Sequence, residues 1–168
     1  MKSLALFLLS LFVALPASAV EDSGFTSLIE AVTKENTSPY AIESLIIKGG
    51  NVNEVDENGR TVLMLAAMHH PSELIPYLLI QGGADINART PDTGKTALFF
   101  AVQYNPNPEI IPALLNYGAD QNIKDVFGRT AYDYANRNPK LKNSPVLWLF
   151  QKHQDTAEEP SSVSKTSR

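Results

Sequence analysis

The sequence predicts an all-α fold, a helical solenoid with β-hairpin-type loops, on the strength of two independent markers. Gly59-Arg60-Thr61-Val62-Leu63-Met64-Leu65-Ala66-Ala67 returns as Gly94-Lys95-Thr96-Ala97-Leu98-Phe99-Phe100-Ala101-Val102. It returns again as Gly128-Arg129-Thr130-Ala131-Tyr132-Asp133-Tyr134-Ala135-Asn136, with the glycines 35 and 34 residues apart. The stretches Leu45 to Asn53, Leu78 to Asn87 and Leu114 to Asn122 share paired aliphatics, a glycine and a closing Asn, and that Asn recurs after 34 and 35 residues. Two markers on one beat are the signature of stacked repeats.

The first residues stand apart. Lys2 supplies a positive start, Leu4 to Leu15 is apolar except for Ser10, and Pro16-Ala17-Ser18-Ala19 ends in the small residues a signal peptidase reads. Residues 1–19 are therefore expected to be a signal peptide cut after Ala19, which directs the protein to the periplasm or the exterior. A membrane anchor fits less well, because the apolar run is shorter than the roughly 20 residues that span a bilayer. No cysteine follows the small residues, which closes the lipoprotein route.

After removal of residues 1–19, 13 basic residues face 18 acidic ones, a net charge of −5. Nucleic acid and anionic membrane are poor partners for such a chain, since both are bound by neutralising phosphate with Lys and Arg. A hydrophobic share of 43% with 19% charged residues is that of a globular domain. Cysteine is absent, so the fold is held by its core alone and thiol chemistry is excluded.

Each unit reads as a short helix, a turn, a second helix and a glycine-ended loop. Leu63, Ala66 and Ala67 lie at helical spacing, and the alanines let a neighbouring helix come close. Ser38-Pro39, Asn107-Pro108 and Ser144-Pro145 each set a cap before a proline at the first position of the second helix, with Pro71-Ser72 a looser version. Gly49, Gly83 and Gly118 end those helices in the left-handed conformation. Polar loops run from Asn53 to Gly59, Asn87 to Gly94 and Asn122 to Gly128. Extra residues are placed at Gly82, within Thr90-Pro91-Asp92-Thr93 and within Pro106-Asn107-Pro108, all at turns where insertion costs little.

These residues resemble the ankyrin repeat, with its period of about 33 and its Thr-Pro-Leu-His-x-Ala start. The resemblance covers roughly residues 24–152, and Gly24-Phe25-Thr26-Ser27-Leu28-Ile29-Glu30-Ala31-Val32 is a weak first unit. Where the family has Pro, Leu and His, this chain has Val62-Leu63-Met64, Ala97-Leu98-Phe99 and Ala131-Tyr132-Asp133, so the histidine and its loop hydrogen bonds are lost. The domain reading is a signal peptide at 1–19 and a repeat domain at 20–153, with units at about 24–55, 56–89, 90–124 and 125–152. A disordered tail follows at 154–168, rich in Ser, Thr and Glu without periodic apolar positions.

Thr26, Glu30, Thr33, Lys34 and Glu35 suit an N-terminal cap with a polar outer face, and Asp133, Asn136 and Arg137 a C-terminal one. Trp148, aligned with Tyr77 and Ala113, is expected to seal the end of the core. Asn36-Thr37-Ser38 has the pattern of a glycosylation acceptor, but Pro39 follows it.

Catalytic motifs are scarce. His69 and His70 are neighbours about 100° apart on a helix and do not face one metal together. Neither Gly-x-Ser-x-Gly nor the phosphate-loop string occurs, and the loop carboxylates Asp56, Glu57, Asp92 and Asp125 suit turn hydrogen bonds. The expectation is a non-catalytic monomer without metal or cofactor. An effector delivered to a host cell, or an enzyme with a site between repeats, are the rival readings.

By resemblance, a partner protein is held by loop tips and the exposed face of the first helices. The matching positions that stand out are Arg60, Met68 and His69 in unit two, and Arg89, Lys95, Gln103 and Tyr104 in unit three. Unit four contributes Lys124, Phe127 and Arg129. Met68, His69, Tyr104 and Phe127 are unusually apolar or aromatic for an exposed face, and aromatic residues make hot spots. Arg60, Arg89, Lys95, Lys124 and Arg129 form a basic stripe on an acidic protein.

Overall fold

The computed structural model of the chain describes residues 25–34 and 37–155. The expected signal peptide, Gly24, Glu35, Asn36 and the tail beyond residue 155 lie outside the described residues. Among the described residues eight helices follow one another: α1 (Leu28–Thr33), α2 (Pro39–Ile47), α3 (Val62–His69), α4 (Leu74–Gln81), α5 (Ala97–Tyr104), α6 (Ile110–Asn116), α7 (Ala131–Arg137) and α8 (Val146–Asp155). The odd-numbered first helices stack in one row, each packing on the next, and each also packs on the even-numbered helix that follows it. Among the described residues extended pairing is limited to a bridge between Val55 and Thr61, so the molecule is an all-α repeat solenoid.

Over their first six residues the middle first helices have no polar side. Val62 to Ala67 in α3 and Ala97 to Val102 in α5 are all buried, because each helix has a first helix on either flank and a second helix behind. A helix apolar all round is stable only when covered. In the end unit the demand relaxes, and α7 buries only Ala131 and Ala135.

Caps adapt to the missing histidine. Thr61 Oγ accepts from the Met64 amide at 3.3 Å, and the Thr61 amide points at Met64 Sδ at 3.4 Å. Asp133 closes a full box, taking the Thr130 amide at 2.7 Å while Thr130 Oγ accepts the Asp133 amide at 3.4 Å. Phe99 instead packs edge-on against Tyr134, ring centres 5.7 Å apart.

The second helices open on one recurring turn. Ser38, Ser72, Asn107 and Ser144 each accept from the amide two residues on. α2 begins at Pro39 as expected, whereas α6 begins at Ile110 and α8 at Val146, just past the prolines expected to be their first residues. The helices end as expected in left-handed glycines, with φ of 90°, 96° and 97° at Gly49, Gly83 and Gly118. The glycine amide and the next amide return to the last turn, as when Gly83 donates to Ile80 at 3.0 Å and Ala84 to Leu79 at 2.9 Å.

Three sequence expectations are corrected by this register. Gly82 is not inserted; it is the C-cap residue of α4, the place held by Lys48 after α2 and Tyr117 after α6. Pro106-Asn107-Pro108 is not an insertion either. The stretches from the C-cap His70 to Gly83 and from the C-cap Asn105 to Gly118 are equally long, so these residues match Pro71-Ser72-Glu73 one for one. Trp148 does not seal the core: it is 59% exposed. Val146 and Phe150, one helical turn apart, fill the core positions held by Ile110 and Leu114 in α6, which sets Trp148 level with Pro112 and Tyr77 on the flank. Phe150 does the sealing, its ring 5.9 Å from that of Tyr132.

Polar side chains join the units. At the C-cap of each first helix a donor reaches the end of the preceding first helix. His70 Nε2 lies 2.8 Å from the Val32 carbonyl, Asn105 Nδ2 2.7 and 2.8 Å from those of Ala67 and His70, and Asn138 Nδ2 2.7 Å from that of Val102. A second ladder runs along the loops. Asn53 donates to the Gly83 carbonyl at 3.2 Å and accepts from the Asp85 amide at 2.8 Å, and Asn87 does the same with Gly118 and Asp120 at 3.3 and 2.8 Å.

Asn105→Ala would leave two buried carbonyls without donors and should cost about 1–3 kcal/mol in urea unfolding. His70 tests the first ladder through pH. Burial lowers its pKa more than the bond to Val32 raises it, and the neighbouring His69 lowers it further. Below about pH 6.5 the unfolded chain therefore takes up a proton that the native state refuses. Stability should fall from that pH down to the lowered native value, and His70→Gln, which keeps a donor for Val32, should flatten that segment of the profile.

Candidate functional site

Loop tips and the ends of the first helices lie along one edge of the solenoid. Each tip is a short hairpin closed by a backbone bond, Asp56 to Arg60 at 2.9 Å, Thr90 to Lys95 at 2.9 Å and Asp125 to Arg129 at 2.8 Å. The side chain at the first position organises the turn. Asp56 Oδ1 accepts the Asn58 and Arg60 amides, and Asp125 Oδ1 those of Phe127 and Arg129. In unit three Thr90 stands in that place, its Oγ accepting the Lys95 amide at 3.1 Å across a loop one residue longer. The extra residue expected at 90–93 is thus present, and the loop carboxylates Asp56 and Asp125 do serve as turn acceptors.

The ten positions expected to meet a partner are distributed unevenly. Arg60 is half-buried and saturated: Nε and Nη2 engage Asp56 Oδ2 at 2.7 and 2.6 Å, and Nη1 lies 3.9 Å from Met68 Sδ. Met68, expected to be exposed, is half-buried against the core because it lies under Arg60. His69 and Lys124 are exposed. Arg89 is exposed too, and its Nη2 braces the neighbouring loop by donating to the Lys124 carbonyl at 2.7 Å.

Lys95 and Gln103 are joined at 3.0 Å, while Tyr104 is 51% and Phe127 68% exposed. Val55 and Val126 also stand open at the loop tips. Among the described residues no group of three His, Cys, Asp or Glu side chains could hold a metal.

At units three and four the geometry departs from that of unit two. Tyr134 occupies the helical position filled by Leu65 in α3 and Phe100 in α5, and its hydroxyl donates to Asp125 Oδ2 at 2.5 Å. Arg129 is correspondingly loose, with Nε 3.4 Å from that oxygen and buried without a hydrogen bond. Its guanidinium lies between the rings of Phe127 and Tyr134, at 4.6 and 4.7 Å, and Lys95 Nζ stands 4.8 Å from the Tyr134 ring.

Burial raises the Asp125 pKa. The Tyr134 hydroxyl, the Arg129 and Phe127 amides and the Arg129 charge outweigh it and hold the carboxyl below the usual aspartate value. Burial pushes Lys95 down, and Arg129 adds to that effect, against the pull of Asp125 and Asp92. Tyr134 was missing from the sequence-based set; its sign was a hydroxyl at a position the other units fill with Leu and Phe.

Stacked helix pairs, left-handed glycine closures and protruding hairpins define a repeat solenoid with a loop-lined edge. The chain belongs to the ankyrin-repeat family: the family model for ankyrin repeats matches it in three copies, over residues 4–90, 28–125 and 73–158. The first of these runs into the segment read as a signal peptide. No curated protein matches the chain. Ankyrin repeats are protein-interaction modules and are generally non-catalytic.

Because Asp125 carries Tyr134 in addition to its turn, Asp125→Asn should destabilise by roughly 2–3 kcal/mol and Asp56→Asn by about 1, as read by urea denaturation. Equal losses would mean that the Tyr134 hydroxyl adds no more to buried Asp125 than the partly exposed Arg60 pair adds to Asp56.

Proposed function

We propose that the chain is an exported, non-catalytic binding module, periplasmic or secreted, that holds a partner protein along the loop-lined edge. It acts there as an inhibitor, immunity or protective partner. The observation that supports this most directly is the exposure of Tyr104 and Phe127 on that edge, since large aromatic rings left in water favour burial by another molecule. Export is supported by the positive start, apolar run and small-residue end of residues 1–19.

Cross-linked pull-down from the producing cells should recover a partner with the natural chain. The Tyr104→Ser/Phe127→Ser variant, altered only at exposed side chains, should recover it at least about tenfold less. Equal recovery by both would remove this edge as the interface. Mass measurement of the exported protein should find Val20 as its first residue, and deletion of residues 2–19 should keep the protein inside the cell; a chain retaining Met1 would refute cleavage.

A further inference from the structure

Two cations share one ring at the junction of units three and four, and among the described residues Asp125 is the one carboxylate ion-paired with either of them. In unit two Asp56 Oδ2 takes both Nε and Nη2 of Arg60. In unit four Tyr134 donates to the equivalent oxygen of Asp125, and Arg129 is left with a longer ion pair to it, its Nε 3.4 Å away and without a hydrogen bond. In unit three Thr90 replaces the aspartate at the turn position, and Lys95 Nζ donates to Gln103 as its one side-chain hydrogen bond among the described residues. Asp92 pulls on Lys95 through its charge, but its Oδ1 is held by the amide and hydroxyl of Thr93 at 2.7 and 3.2 Å rather than by Lys95.

The two loops are locked together by the Val126 amide on the Thr93 carbonyl at 3.0 Å and by Arg89 on the Lys124 carbonyl. The cation pair therefore sits on a preformed platform. Phe127, 68% exposed, borders it as an apolar wall.

We infer that Lys95 and Arg129 form a seat for an aspartate or glutamate side chain of the partner protein, with an apolar residue beside that carboxylate packing on Phe127. This rests on the reading of the edge as a protein-binding face and names the chemistry it selects. An incoming carboxylate adds a second acceptor where Lys95 and Arg129 both depend on the one buried carboxylate of Asp125, and it enters a site where burial makes a charged hydrogen bond strong. A polyanion such as nucleic acid fits less well, since Glu54, Asp56 and Glu57 crowd the next loop and would repel an extended run of phosphates.

Panning short random displayed peptides against residues 20–168 tests this. The natural chain should enrich peptides with Asp or Glu next to an apolar residue. Binding of those peptides should weaken about tenfold in Lys95→Gln/Arg129→Gln and be kept in Lys95→Arg. The variants' thermal unfolding is followed alongside, and Lys95→Gln alone, at a side chain outside the core, should already show several-fold weakening if the double variant folds poorly.

Peptides that depend on Tyr104 and Phe127 but show no acidic preference would overturn this inference and leave the binding edge standing. Peptides indifferent to all four residues would overturn both. Tighter binding of single-stranded oligothymidylate than of the enriched peptides would also overturn it, in favour of a phosphate site.

Discussion

Over their first six residues helices α3 and α5 have no face that tolerates water, and the rest of the molecule follows from covering them. Alanines at Ala66, Ala67, Ala97 and Ala101 keep neighbouring backbones close, so each first helix is covered on its flanks by other first helices and behind by a second helix. A single unit cannot do this, which is the physical reason the pattern must repeat. At the ends the constraint is met differently: α1 is capped by polar Thr26 and Glu30, and Phe150 folds over α7.

Close helix stacking creates a backbone problem that a handful of side chains solve. The last carbonyls of a buried helix need donors, and a neighbour leaves little room for water to supply them. His70, Asn105 and Asn138 each stand one unit further along and reach back to the orphaned ends. The Asn53 and Asn87 amides do the same for the loops. Apolar packing brings the units together, and these directional bonds set the register in which they meet.

Most of this was legible because it is local and periodic. The repeat period and the glycine closures leave marks at fixed offsets, and both were placed correctly from residue patterns alone. Misreadings came where the offset itself was in question. Trp148 was aligned with Tyr77 and Ala113 and expected to seal the core, but Val146 and Phe150 bury better, and the helix turned so as to bury them. Gly82 looked surplus because two glycines stood together, although only Gly83 takes the left-handed conformation. Met68 was counted as surface because its place in the repeat is usually open; Arg60, folded back onto Asp56, covers it.

The sequence by itself determined the solenoid, since backbone geometry is written in spacings that any neighbour reproduces. It also marked the loop-lined edge, as these are the positions the core leaves free. Tertiary structure alone decided how charge is distributed there. Arg60 and Arg129 occupy the same place between Gly and Thr, yet one is saturated by its aspartate and the other lies between two rings. The difference is the hydroxyl of Tyr134, nine residues from Asp125, competing for one carboxylate oxygen. Competition of that kind depends on distances of a few tenths of an ångström between side chains, and residue order does not encode those until the chain has folded.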